Sequence, residues 1–258
     1  MKKIKLILTI FLMLLIIAFL LFNNAKNKKN STDNLAENAP FSISKIKIYS
    51  SAYGENQTTS FQQNSWILNL LQYSDIAIYI GNGEDDLNQA NTAKTLSIDN
   101  IKISNPKTGN SKLYYLDTLN FGTPTISEKY QLENNFEFTV LNDKNEESTI
   151  LSNTPVFFAD CSNPITLKYV NDSVKKNFNL SSTEPVVFNG TLLKLANIEL
   201  KNLSATIDFS LNIKNYKNET YTCNLSIPIS LANETSTIYD GSILDEIDCS
   251  KFKFTKKP

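Results

Sequence analysis

Between Leu203 and Leu231 the chain alternates apolar and polar side chains with a period of two. No other feature of the sequence constrains the fold as strongly. Leu203, Ala205, Ile207, Phe209, Leu211 and Ile213 are apolar, with Asp208, Ser210 and Asn212 between them. A second run places Tyr221, Cys223, Leu225, Ile227, Ile229 and Leu231 on one face and Asn224, Ser226, Pro228 and Ser230 on the other. Successive side chains of a strand point to opposite faces, so each run buries one face and wets the other. Lys214 to Glu219 connect the runs, which predicts a long antiparallel hairpin. Pro228 cannot donate to a ladder, so the second strand is expected at an edge or with a bulge there.

The same chemistry recurs from Pro40 onward. Further strands are expected at 43–50, 75–80, 95–104, 113–116, 136–141, 155–159, 165–169, 186–188, 192–200 and 251–254, with Gly-, Asn- and Pro-rich turns between them. Ser65 to Gln72 has helical spacing at Ile67, Leu70 and Leu71, and Val174 to Phe178 reads as a second short helix. Strands this short, repeated every 8–15 residues, predict an all-β chain of two immunoglobulin-like antiparallel β-sandwich modules, spanning 40–153 and 154–258. The boundary falls where Asn153, Thr154 and Pro155 interrupt the pattern. The Cys…Trp…Cys spacing of immunoglobulin domains is absent, because no Cys precedes Trp66, the only Trp.

The amino terminus reads differently. Leu6 to Phe22 is a 17-residue run with Thr9 as its one polar member. As a helix it spans roughly 25 Å, close to the hydrocarbon thickness once Ile4 and a snorkelling Lys5 are added. Residues 1–22 are therefore expected to form an uncleaved transmembrane signal anchor, and 23–39 a flexible polar tether. The expected localisation is the cell membrane, single-pass, with the carboxyl-terminal bulk extracytoplasmic.

Composition removes whole classes of chemistry. The chain has no His, and all 25 basic residues are Lys. Triads that use His, His-ligated metals and bidentate Arg clamps are excluded. Seven Gly supply no phosphate-binding loop, and no basic stripe supports nucleic-acid binding. The weight of Asn, Lys and Ile is that of an AT-rich bacterial genome, so N-x-S/T sequons arise by chance. The acidic segments Glu84-Asp85-Asp86 and 142–147 lack the spacing of a calcium loop and read as solvated turns.

Two site readings remain. An exported domain can use one disulfide, and Cys161 with Cys249 is the expected pair, leaving Cys223 buried on its strand. Tyr53, Trp66, Tyr73 and Tyr216 lie near expected loops and are the candidate ligand-surface aromatics. The expected function is non-catalytic, without cofactor or metal: a membrane-anchored extracytoplasmic binding or structural module of the bacterial envelope, facing an envelope protein or wall polymer. The alternatives are an accessory subunit of a membrane assembly and a wall-polysaccharide enzyme using a carboxylate pair.

Overall fold

Three long strands carry the architecture: β1 (Phe41–Asn56), β2 (Ser65–Asn82) and β7 (Pro164–Ser181). The computed structural model describes residues 39–58, 64–82, 93–115, 122, 131–133, 135–139 and 164–258. Within them the shorter strands are β3 (Ala93–Ile103), β4 (Asn110–Tyr115), β5 (Gln131–Leu132), β6 (Phe136–Thr139), β8 (Thr206–Asn215), β9 (Thr220–Pro228), β10 (Ser242–Ile247) and β11 (Thr255–Lys256). The first sheet runs β10-β1-β2-β7-β4-β5 and the second β11-β9-β8-β3-β6. Every neighbouring pair is antiparallel.

This order corrects the two-module expectation. Each sheet takes strands from both halves of the chain: β2 pairs β7 in the first, and β3 pairs β8 in the second. Residues Pro40–Pro258 form one compact unit. The expected boundary at 153–155 and the expected strand at 155–159 lie outside the described residues.

The membrane expectation is corrected as well. Among the described residues no helix is long and apolar enough to cross a membrane. The one α-helix described, α1 (Thr191–Leu195), has five residues. That finding stands against the transmembrane element of the fold class, the membrane-anchored function, the membrane partner and the single-pass localisation. Residues 1–22, on which the anchor was placed, lie outside the described residues, as do 23–38 of the tether. None of these expectations is carried further.

The hairpin read from the alternation is present as β8 and β9, with Ile213 opposite Tyr221 and Ile207 opposite Ile227. Its apolar face packs towards the first sheet. Phe41 of β1 meets Tyr221 and Phe254 edge-on, at ring centroids of 5.5 and 6.3 Å, and Ser230 donates to Asp245 of β10 at 2.5 Å. Buried Ile46, Ile48, Ile76, Ile78, Ile165 and Leu167 line the same face of the first sheet. Each such side chain contributes about 1.5–3 kcal/mol by leaving water. Pro228 closes β9 opposite Thr206. Beyond Thr222 the outer edge of β9 pairs with no described strand, which is where a proline is tolerated.

Both expected helices are strands. Ser65 to Gln72 opens β2, and Val174 to Phe178 lies in β7. Leu68 and Leu70 pack on α1 with Leu180, Leu192 and Ala196, while Leu71 faces the opposite side with Tyr73 and Val170. Leu70 and Leu71 are buried on opposite faces of β2, so apolar residues fall at consecutive positions and, with the exposed Ile67, imitate helical spacing. Conversely, the strand expected at 192–200 contains α1, which turns Leu192 and Leu193 into the core.

A half-buried carboxylate ties down the carboxyl-terminal strand. Glu219, in the β8–β9 turn, accepts from Lys256 Nζ at 2.5 Å, Asn215 Nδ2 at 2.9 Å and Tyr221 Oη at 3.3 Å. The Lys256 and Asn215 hydrogen bonds lead in drawing its pKa down to about 2. A depressed acid stabilises the fold above its ordinary pKa and loses that contribution as pH falls towards the folded value. Acidification from pH 5 to pH 2 is therefore expected to loosen β11 first. Hydrogen exchange at the Lys257 amide, which donates to Thr220 O at 2.8 Å, reads this directly. Unchanged protection there at pH 2 would refute the assignment.

Candidate binding groove on the second sheet

The outer face of the second sheet is polar because every second residue of β3, β8 and β9 is polar. These residues align across the strands: Lys102, Asp208 and Ser226 form one row, and Asp99, Ser210 and Asn224 the next. A bulge between Asp99 and Lys102 breaks the β3–β8 register and puts Asn100 in the left-handed region at φ 56°. Bulges re-aim side chains, and this one turns Asn100 across the sheet. Its Nδ2 donates to Asp99 Oδ1 at 3.0 Å and Ser210 Oγ at 3.3 Å, and Ser210 Oγ donates on to Asn224 Oδ1 at 2.8 Å.

An open groove of about 520 Å³ crosses this face, lined by Asn100, Lys102, Asp208, Ser210, Asn224 and Ser226. The buried Phe209 and Leu225, with Lys251 and Phe252, complete its lining. At about 4.8 Å per strand, three strands make it roughly 10–15 Å long. Lys251 Nζ lies 5.1 Å above the Phe252 ring. Lys102, Asp208 and Ser226 make no side-chain hydrogen bond or ion pair with another described residue, although Lys102 and Asp208 are register partners. The wall thus offers a carboxylate, two ammonium groups, amides and hydroxyls, with one ammonium in excess. That set can exchange hydrogen bonds with a neutral, hydroxyl-bearing ligand. A single carboxylate, Asp208, lines the groove.

The residues singled out from sequence lie elsewhere. Tyr73 is 4% exposed, and its hydroxyl donates to Gly122 O at 3.0 Å. Burial leads in pushing its pKa up to about 12. Trp66 and Tyr53 are half-buried against Phe188, at 6.1 and 6.4 Å between ring centroids. Tyr216 is half-buried after β8. The structure brings Tyr53 and Tyr73 into one cluster with Tyr49 and Tyr114 on the first sheet, away from Tyr216. Of the expected Cys161–Cys249 pair, Cys249 is described with a free thiol that donates to Ile247 O at 3.3 Å, and Cys161 lies outside the described residues. Cys223 is buried and also free, and desolvation pushes its thiol up to about 11. Neither thiol has the lowered pKa of a nucleophile. The acidic segment Glu84-Asp85-Asp86 and residues 142–147 lie outside the described residues.

One charge pair in the first sheet was not anticipated. Asp75 and Lys168 face each other across β2 and β7, 0% and 1% exposed, in a direct ion pair. Asp75 Oδ2 also accepts from Gly122 N at 2.8 Å, and Lys168 Nζ sits 4.7 Å from the centre of the Tyr73 ring. Burial is the leading influence on both, raising the carboxyl and lowering the ammonium. Their mutual attraction pulls each back. The pair has no access to solvent and holds strands together rather than meeting a ligand.

The groove residues had a signal in the sequence. Asp208, Ser210, Asn224 and Ser226 are the polar members of the alternation, but sequence marks them only as wet. Lys102 and Asn100 depend on the bulge, which no local motif announces. Comparison with known protein families, with curated proteins and with solved structures finds no match.

Proposed function

We propose that this chain is a non-catalytic binding module, and that it takes a neutral, hydroxyl-rich ligand of oligosaccharide type across the outer face of the second sheet. The observation that carries the reading is the groove itself. Its volume lies in the range of ligand sites, and it is lined by polar side chains from three strands. Lys102, Asp208 and Ser226 are left with hydrogen-bonding capacity to offer. Rigid strands hold these groups in place before a ligand arrives, which lowers the entropy cost of binding. The non-catalytic part of the reading is supported by the absence of His and Arg from the sequence and by the single carboxylate in the groove.

The test is a panel of neutral oligosaccharides titrated against the protein by calorimetry, followed by Asp208→Ala and Asn224→Ala. Each variant is expected to weaken binding about tenfold, the size of one lost hydrogen bond to a charged or well-placed group. Both positions are exposed, so folding should be unaffected. Binding that survives both substitutions, or no binding to any neutral glycan, contradicts the proposal.

A further inference from the structure

The first sheet has a second polar feature, inside the molecule. On the face that carries α1 and meets the second sheet, a belt of polar side chains separates the isoleucine-rich core from the Leu68–Leu70–Leu192 cluster. Ser50 and Ser74 share a hydrogen bond of 2.7 Å, and Ser111 and Tyr169 one of 3.0 Å. The next row holds Gln72 opposite Asn171, both 0% exposed. Asn171 Nδ2 donates to Thr108 O at 2.9 Å. Asn171 Oδ1 and both polar atoms of Gln72, Nε2 and Oε1, have no hydrogen-bond partner among the described residues.

An orphaned buried amide costs about 1–3 kcal/mol. Here three such atoms fall on one register pair. The β2–β7 ladder also breaks beside that pair: β2 advances two residues from Gln72 to Leu70 while β7 advances four, from Asn171 to Lys175. Ser173 takes φ 55° within that stretch. Such an irregularity bends the strand and leaves residues out of the ladder beside the pair. Gly109 crowds one side of Asn171, since a Cβ at 109 would lie 1.9 Å from Oδ1. A Cα–H contact satisfies that oxygen only weakly.

We infer that Gln72 and Asn171 build an internal hydration site, in which an ordered water accepts from Gln72 Nε2 and donates to Gln72 Oε1 or Asn171 Oδ1. The chemistry fits water because the site offers both a donor and acceptors, and because a buried water characteristically makes about three bonds to otherwise unsatisfied groups. No charge is present on either side chain to call for an ion.

Two measurements test the inference. In NMR spectra of the full chain, the Gln72 side-chain amide protons should show a cross-peak to water that changes sign between NOE and ROE experiments, which separates bound water from proton exchange. No such cross-peak overturns the inference. Gln72→Met preserves an unbranched chain and removes the amide. If water bridges the pair, the variant strands Asn171 and lowers the folding equilibrium constant about tenfold. If Gln72 is a true orphan, removing it relieves a desolvation cost. Equal or greater stability of the variant therefore also overturns the inference. The wild-type spectrum decides the matter even where the variant does not fold.

Discussion

Lys168→Met is expected to destabilise the fold by about 3–5 kcal/mol, the cost of leaving one partner of a buried ion pair unpaired. The Met side chain keeps most of the volume, so the loss reports charge rather than a cavity. Asp75 remains, wholly buried, with the Gly122 amide as its one hydrogen-bond donor among the described residues. Asp75→Asn in the same chain should recover most of the loss. It removes the stranded charge and keeps an oxygen for Gly122. The pH dependence has a definite sign. Burial raises the Asp75 carboxyl, and without the Lys168 ammonium nothing of comparable strength lowers it. An acid with a raised folded pKa binds its proton more tightly folded than unfolded. The single variant should therefore gain stability as pH falls from its folded pKa towards its unfolded one, relative to the double variant. Urea unfolding of both variants at pH 7 and pH 5 checks both parts. Equal stability of the single and double variants at pH 7 would show that the pair does not act as a coupled unit.

Gly190→Ala is the second large effect, at about 3 kcal/mol. Gly190 precedes α1 and donates to Gly241 O at 2.9 Å. A Cβ there would lie 1.9 Å from Ile238 O and 2.8 Å from Gly241 O. Both atoms are main chain, so no side-chain rotamer relieves the clash, and α1 must shift away from the 3-10 turn at Ile238–Asp240. Overpacking costs of this kind run from about 1–3 kcal/mol upward. The shift would also withdraw Leu192 from Leu68 and Leu70. A thermal melt of the variant reads the loss. A melt within a degree or two of wild type would mean that α1 does not sit on this turn.

How much of this was legible in sequence depends on which faces are wet. β8 and β9 alternate cleanly because one face meets the core and the other meets water, and the hairpin follows from the pattern alone. The middle of β2, Leu70 to Ile78, and the first half of β7, Ile165 to Asn171, are buried on both faces. Asp75 and Ile76 are adjacent and both 0% exposed, so alternation has nothing to report. The internal polar residues Ser50, Ser51, Gln72, Ser74 and Asp75 imitate turns, and they cut strands of 16 and 18 residues into the fragments expected at 43–50 and 75–80. Counting fragments then suggests two small sandwiches where one larger fold exists. The groove suffers a different loss. Its polar residues are visible one by one, but only the register between β3, β8 and β9 brings them into rows, and register is a long-range property. The aromatics singled out by their nearness to loops went the other way, Tyr73 into a buried cluster and Trp66 against Phe188.

The central claim is that both halves of the chain build the same two sheets. Equilibrium urea unfolding of the full chain tests it with two probes. Trp66 fluorescence reports on β2 in the first sheet, and the amide signals of Leu211 and Cys223 report on β8 and β9 in the second. One fold predicts a single transition with coincident midpoints at all three positions. Two separated transitions, with Trp66 melting apart from the β8–β9 hairpin, would contradict it.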